Sequence, residues 1–138
     1  MKFGKIVSVM VLLVTATLFS HAQTAKTIDE MESVHKECMR IKEDSIVCSR
    51  RFLAQMDSML LIVFNEVKQN TAEDKQPALI VEQAAWNKKK GEFFKKQDET
   101  FVYNLKDGSW TKDMIRLIYR QKADYVLKRI RVLLKRLN

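Results

Sequence analysis

A chain of 138 residues carrying 25 Lys and Arg against 17 Asp and Glu, net charge +8, is long enough for one domain built around a single core. Three Gly and one Pro leave little turn chemistry for a strand-rich protein and no linker between domains. Two His and two Cys leave almost nothing from which to build a metal centre or a nucleophile with its base.

Met1–Ala22 reads as a secretory signal peptide. Lys2 and Lys5 make a positive start, Ile6–Phe19 is an apolar run broken only by Ser8, Thr15 and Thr17, and Ser20 and Ala22 put small residues where a signal peptidase cuts before Gln23. The run, about 14 residues, is short of the roughly 20 needed to cross a bilayer as a helix. The alternative is a retained N-terminal anchor. No Cys stands at the cleavage point, which disfavours a lipid anchor. Gln23–Asn138 is then one exported domain, periplasmic or secreted, with no further apolar run of membrane-spanning length.

Thr27-Ile28-Asp29-Glu30 is a capping-box pattern. It predicts a first helix from Ile28 to about Lys42, with Ile28, Met31, Val34, Cys38 and Ile41 on its inner face and His35 beside that face. His35 has no second ligand at metal spacing and reads as a boundary residue. Lys42-Glu43-Asp44-Ser45 is a polar break, and Asp44 or Ser45 can cap the next helix. If the chain reverses there, Cys38 and Cys48 come opposite each other across an αα-hairpin, whereas one continuous helix would hold them about 15 Å apart. In an exported protein this predicts a Cys38–Cys48 disulfide; the alternative is two reduced, buried thiols.

The second helix carries the strongest pattern in the chain. From Arg51 to Val67, Phe52, Leu53, Met56, Met59, Leu60, Val63, Phe64 and Val67 fall on one stripe at the 3.6-residue period. Asp57 stands at the stripe's edge: either it is a solvated neighbour of the stripe or, if half buried, it needs a cation or several N–H donors. Residues 70–75 read as a loop, and Pro77 suits the first turn of a third helix running from Ala78 to about Gln97. On that helix Leu79, Gln83, Trp86, Lys90 and Phe93 share a face. Either Lys90 snorkels to water along its stem, or Gln83 and Lys90 form a polar network reaching Asp57.

Periodicity is weak over Asp98–Asp107, and Lys106-Asp107-Gly108-Ser109 is a turn signal. Ser109 or Thr111 can cap a final helix to about Leu137, with Ile115, Ile118, Tyr119, Tyr125, Val126, Ile130, Leu133, Leu134 and Leu137 on its apolar line. Around that line stand Lys112, Arg116, Arg120, Lys122, Lys128, Arg129, Arg131, Lys135 and Arg136 against only Asp113 and Asp124, so the chain's excess positive charge belongs almost wholly to this helix. The fold class is all-α, a small bundle of about four helices whose N-terminal hairpin is stapled by the disulfide.

In their order and spacing these residues resemble the lysozyme-inhibitor LprI-like family of small exported bacterial domains. The resemblance spans about Cys38–Leu133. It rests on Cys38 and Cys48, Asp57 with Leu60, Gln83 with Trp86, Gly108-Ser109, and Arg129 with Leu133. Leu61 stands where the family has Asn, Phe64 where Tyr is usual and Lys90 where Arg is expected, and two further family cysteines are missing. The resemblance implies a binding module that blocks lysozyme, with Asp57, Gln83, Trp86, Lys90 and Arg129 as motif and binding candidates.

The residues themselves offer a different class of partner: an anionic envelope surface, whether lipid, lipopolysaccharide, acidic glycan or protein, met by Arg116, Arg120, Lys128, Arg131, Lys135 and Arg136. Nucleic acid is a poor candidate for an exported chain without recognition motif or interleaved stacking aromatics. No Ser-His-Asp set, metal spacing, phosphate-cradling Gly loop or singled-out carboxylate pair is present, so no catalytic residue, metal or cofactor is expected.

Overall fold

A computed structural model describes residues 23–41, 45–106, 108 and 111–137. The signal peptide over Met1–Ala22, the Asp44 cap and the Ser109 cap all lie outside the described residues. Among those residues the chain forms four α-helices and no strand: α1 over residues 23–40, α2 Ser45–Gln69, α3 Gln76–Lys106 and α4 Lys112–Leu134, with a short 3₁₀ turn Glu73–Lys75 leading into α3. No helix among them is long and apolar enough to cross a membrane.

The stripe on α2 is buried as its spacing requires. Met56 and Val63 are fully enclosed and meet Ala123, Val126, Ile130 and Leu133 of α4, which are equally enclosed. Helix α1 adds Ile28 and the half-buried Met31 to this cluster. Its 31 residues notwithstanding, α3 adds one fully buried apolar residue, Leu79, with Trp86 and Phe94 half buried against the cluster. The core therefore belongs to α2 and α4, with α1 and α3 laid against it.

Cys38 and Cys48 are bridged, their Cα atoms 5.9 Å apart, at the turn between α1 and α2. Closing so short a loop stabilises by about 3 kcal/mol in the chain-entropy model. The bridge fixes where α1 leaves the bundle. Beyond the last turn of α3, Gly108 takes φ 65°, a left-handed conformation that a side chain would strain. Thr111 then caps α4 by accepting from the Met114 N–H.

Three local expectations are corrected. Helix α1 already runs at residue 23, and Thr27 is not its cap: the Thr27 hydroxyl donates back to the Gln23 carbonyl inside the helix. Val34 and Ile41 are 60% and 62% exposed, because the face that meets the core is set by Ile28, Met31 and His35 at steps of three, four and seven, and Val34 lies one residue off it. Helix α3 continues nine residues past Gln97, to Lys106. Two ion pairs support the extension: Lys95–Glu99 at i,i+4 across the expected end, and Asp98 with Lys122 of α4.

Candidate functional site

The polar residues singled out in the sequence gather where α3 lies on α2 and α4. Arg129 sits among the apolar residues of α4 and is only 7% exposed. Its Nε donates to Gln83 Oε1 at 2.9 Å and its Nη1 to Glu82 Oε1 at 2.8 Å. Gln83, also 7% exposed, donates in turn to Asn87 Oδ1 at 3.2 Å. Arg136, two turns further along, closes on both oxygens of Glu82 at 2.8 and 3.0 Å. A carboxylate between two guanidinium groups is favoured in its charged form. The hydrogen bond from Arg129 first, then that from Arg136, hold the Glu82 carboxyl below its ordinary range, against an opposing desolvation.

Two lysines repeat the arrangement along the seam. Lys90 of α3 pairs with Asp57 of α2, and the buried Lys122 of α4 pairs with Asp98 of α3. The ring of Phe94 lies between them, 5.1 Å from each ammonium nitrogen. An aromatic row accompanies these pairs. Tyr125 stacks on Trp86 at 5.5 Å and on Phe93 at 4.6 Å, and the Arg129 guanidinium lies 5.9 Å from the Trp86 ring.

The structure thus joins Lys90 to Asp57, as the network reading expects, but Gln83 does not reach Asp57. Gln83 is taken by Arg129, whose planar fork approaches from α4 with a donor aimed at the amide oxygen. Glu82, Lys122, Asp98 and Phe94 are the members that sequence reasoning missed. Lys122 could have been found beside Arg129: steps of four, four, three and four link Ile118, Lys122, Val126, Arg129 and Leu133, all on the buried face. Glu82 gave no signal, since its partner is 47 residues away.

Most of the basic candidates are engaged within the fold. Arg116 pairs with Asp113, Arg120 with Asp124 at 3.8 Å, Arg131 with Glu32 at 2.7 Å, and Arg136 with Glu82. Lys128 and Lys135 are exposed and carry no ion pair among the described residues. The positive charge of α4 and its C-terminal end is therefore spent largely on neighbouring carboxylates, and what it offers a partner is three lysines without an ion pair among the described residues, Lys112, Lys128 and Lys135, and a set of ion pairs.

On the other side of the core, His35 stacks on Phe52 with ring centres 4.3 Å apart and planes 6° from parallel. Neither ring nitrogen has a hydrogen-bond partner among the described residues. Burial first, then the Arg120 guanidinium, push its pKa below the ordinary value, against weaker pulls from Asp124 and from the Cys48 backbone, which lies near the ring without forming a well-aligned hydrogen bond. Among the described residues no group of three or more His, Cys, Asp or Glu could hold a metal ion.

The chain matches no protein-family model, no curated protein and no solved structure. Its resemblance to LprI-like domains accordingly rests on the residues and their spacing alone.

Proposed function

We propose that the chain is an exported binding domain of the cell envelope, not an enzyme, and that direct binding of a lysozyme is the form of this function its motif residues favour. The observation that carries the reading is the seam itself. Asp57, Gln83, Lys90 and Arg129 are consumed in holding α3 against the bundle, so they support a recognition surface and are not poised for proton transfer or attack. The Cys38–Cys48 bridge supports an oxidising compartment.

A cationic lysozyme needs carboxylates that no internal cation already holds. Asp29, Glu73, Asp74 and Glu92 are exposed and carry no ion pair among the described residues. The test has two parts. Protein recovered from the envelope fraction should begin at Gln23 by intact mass. It should bind a cationic lysozyme at near-physiological salt, and Glu73→Lys with Asp74→Lys should weaken that binding at least tenfold. Binding to anionic vesicles that fades with salt, without lysozyme binding, would instead assign the function to the basic C-terminal helix, α4.

A further inference from the structure

One groove between α3 and α4 opens at the end of the seam's aromatic row. It is lined by Phe93 and Gln97 of α3 and by Gln121, Asp124, Tyr125 and Lys128 of α4, with a volume of about 340 Å³. That is the small end of ligand-sized pockets. Trp86 and Phe93 stand two turns apart on α3, a rise of about 10.5 Å, and Tyr125 stacks on both, so its ring is held between theirs. Phe93 ends the row and lines the groove together with Gln97 and Gln121. Both Phe93 and Tyr125 remain half exposed.

The polar groups around this aromatic wall are unspent. Gln97, Gln121 and Lys128 have no hydrogen bond or ion pair among the described residues. Asp124 has the 3.8 Å approach of Arg120 and a weak pull on His35, and accepts no hydrogen bond among the described residues. Each Gln amide offers both donor and acceptor, Asp124 accepts and Lys128 donates, so hydroxyl and amide groups of either sense can be met. The two charges are of opposite sign and one turn apart, which suits a neutral or near-neutral polar ligand over a polyanion. A flat wall of ring carbon beside several uncommitted amide and charged groups matches a molecule with one C–H-rich face and a perimeter of hydroxyls. That description fits a pyranose ring.

We infer that this groove binds one or two sugar rings of an envelope glycan, the apolar face of a ring laid on the face of Phe93 that Tyr125 leaves uncovered, beside the edge of Tyr125, and its hydroxyls held by Gln97, Gln121, Asp124 and Lys128. The inference rests on the reading of the chain as an envelope-exposed binding domain and names a ligand class for it. Peptidoglycan and lipopolysaccharide core both carry such rings, and the groove's chemistry is common to them.

The test is a two-dimensional amide NMR titration of the oxidised protein with three probes in separate arms: a β-1,4-linked N-acetylglucosamine tetramer, a soluble muropeptide and a lipopolysaccharide core oligosaccharide. Saturable shifts centred on Phe93, Gln97, Gln121 and Tyr125 are expected in at least one arm, and the arm that responds identifies the source. Gln97→Ala and Gln121→Ala alter half-exposed or exposed side chains and should leave the melting temperature unchanged while weakening binding about three- to tenfold each. Affinity should stay within about twofold as salt rises through the range that screens exposed charge pairs. The inference is overturned if no arm saturates up to about 10 mM, ten times the scale of a single weak contact. It is equally overturned if the shifts lie elsewhere and ignore both Gln variants, or if binding collapses with salt. Should lysozyme bind while every sugar fails, the groove assignment falls and the envelope-binding reading stands; should the chain be confined to the cytoplasm, that reading falls by itself.

Discussion

Helices α2 and α3 both lie against α4, and they are held there by different physics. Along α2, Met56, Val63 and Val67 close on Val126, Ile130 and Leu133 with essentially no exposure, a contact made by dispersion and exclusion of water. Along α3 the residues facing α4 are Glu82, Gln83, Trp86 and Phe93 with Asp98, and α4 answers with Arg129, Arg136, Tyr125 and Lys122. The first contact is cheap to form and indifferent to partner orientation. The second has fixed geometry, because a fork must meet an amide oxygen and a carboxylate together, and it selects one register of α3 more than it adds stability.

The largest effect separates the two contacts directly. Leu133→Ala removes a fully buried side chain and should cost about 3–4 kcal/mol, read by urea denaturation, with loss of structure in every helix. Trp86→Ala, although it deletes a larger side chain, should cost less, about 2–3 kcal/mol, because Trp86 is only half buried between Arg129 and Tyr125. Equal or reversed costs would mean that α3 belongs to the core proper.

The seam is probed by Arg129→Met. Left behind, Gln83 would be buried without its donor, and the variant should lose about 2 kcal/mol; a partner carboxylate as exposed as Glu82 keeps the figure below that of a fully buried pair. Adding Gln83→Leu should recover at least half of the loss, since an apolar pair of similar volume has no unmet polar group. The same double variant should speed amide exchange over Gln76–Lys106 relative to Ser45–Gln69, because the register of α3 would no longer be selected. Recovered stability with unchanged exchange in α3 would refute a selecting role for the seam.

The same division decides how much was legible in the chain. The stripe of α2 and the line of α4 alternate apolar and polar residues at helical spacing, and their burial follows that pattern from Phe52 to Val67 and from Ile118 to Leu133. Helix α3 faces its partners with polar residues, so apolar periodicity fades after Phe93 and its extent to Lys106 is hidden. The pairing of Lys90 with Asp57 could be anticipated because both stand on apolar stripes and have opposite charge. The clamp on Glu82 could not, because it depends on the register of two helices that no local pattern specifies. On α1, apolar identity misled: Val34 and Ile41 read as core, while the inward position at the right spacing belongs to His35.

That histidine supplies the smallest of the expected effects and the most specific. A ring stacked on Phe52, lined also by Glu32, Lys36, Arg120 and Asp124, is held neutral by burial and by Arg120, so its pKa in the folded chain lies below the ordinary 6.5. Above pH 6.5 folded and unfolded chains both carry it uncharged, and its contribution to stability is complete. As pH falls below 6.5 the unfolded chain takes up the proton first, so stability declines until the folded chain protonates too. Glu82 acts in the same direction but lower: its depressed pKa gives stability that is present above the ordinary carboxylate value of 4.5 and lost as pH falls through the folded value. Melting temperatures at pH 7.5, 6.0 and 5.0 separate the two. The native chain's melting temperature should fall across this range. His35→Phe should keep the stack and abolish the loss, and Glu82→Gln should leave the loss intact. A native chain whose melting temperature does not change between pH 7.5 and 5.0 would show that the His35 nitrogens are solvated, and that α1 is held at Phe52 more loosely than the closed stack requires.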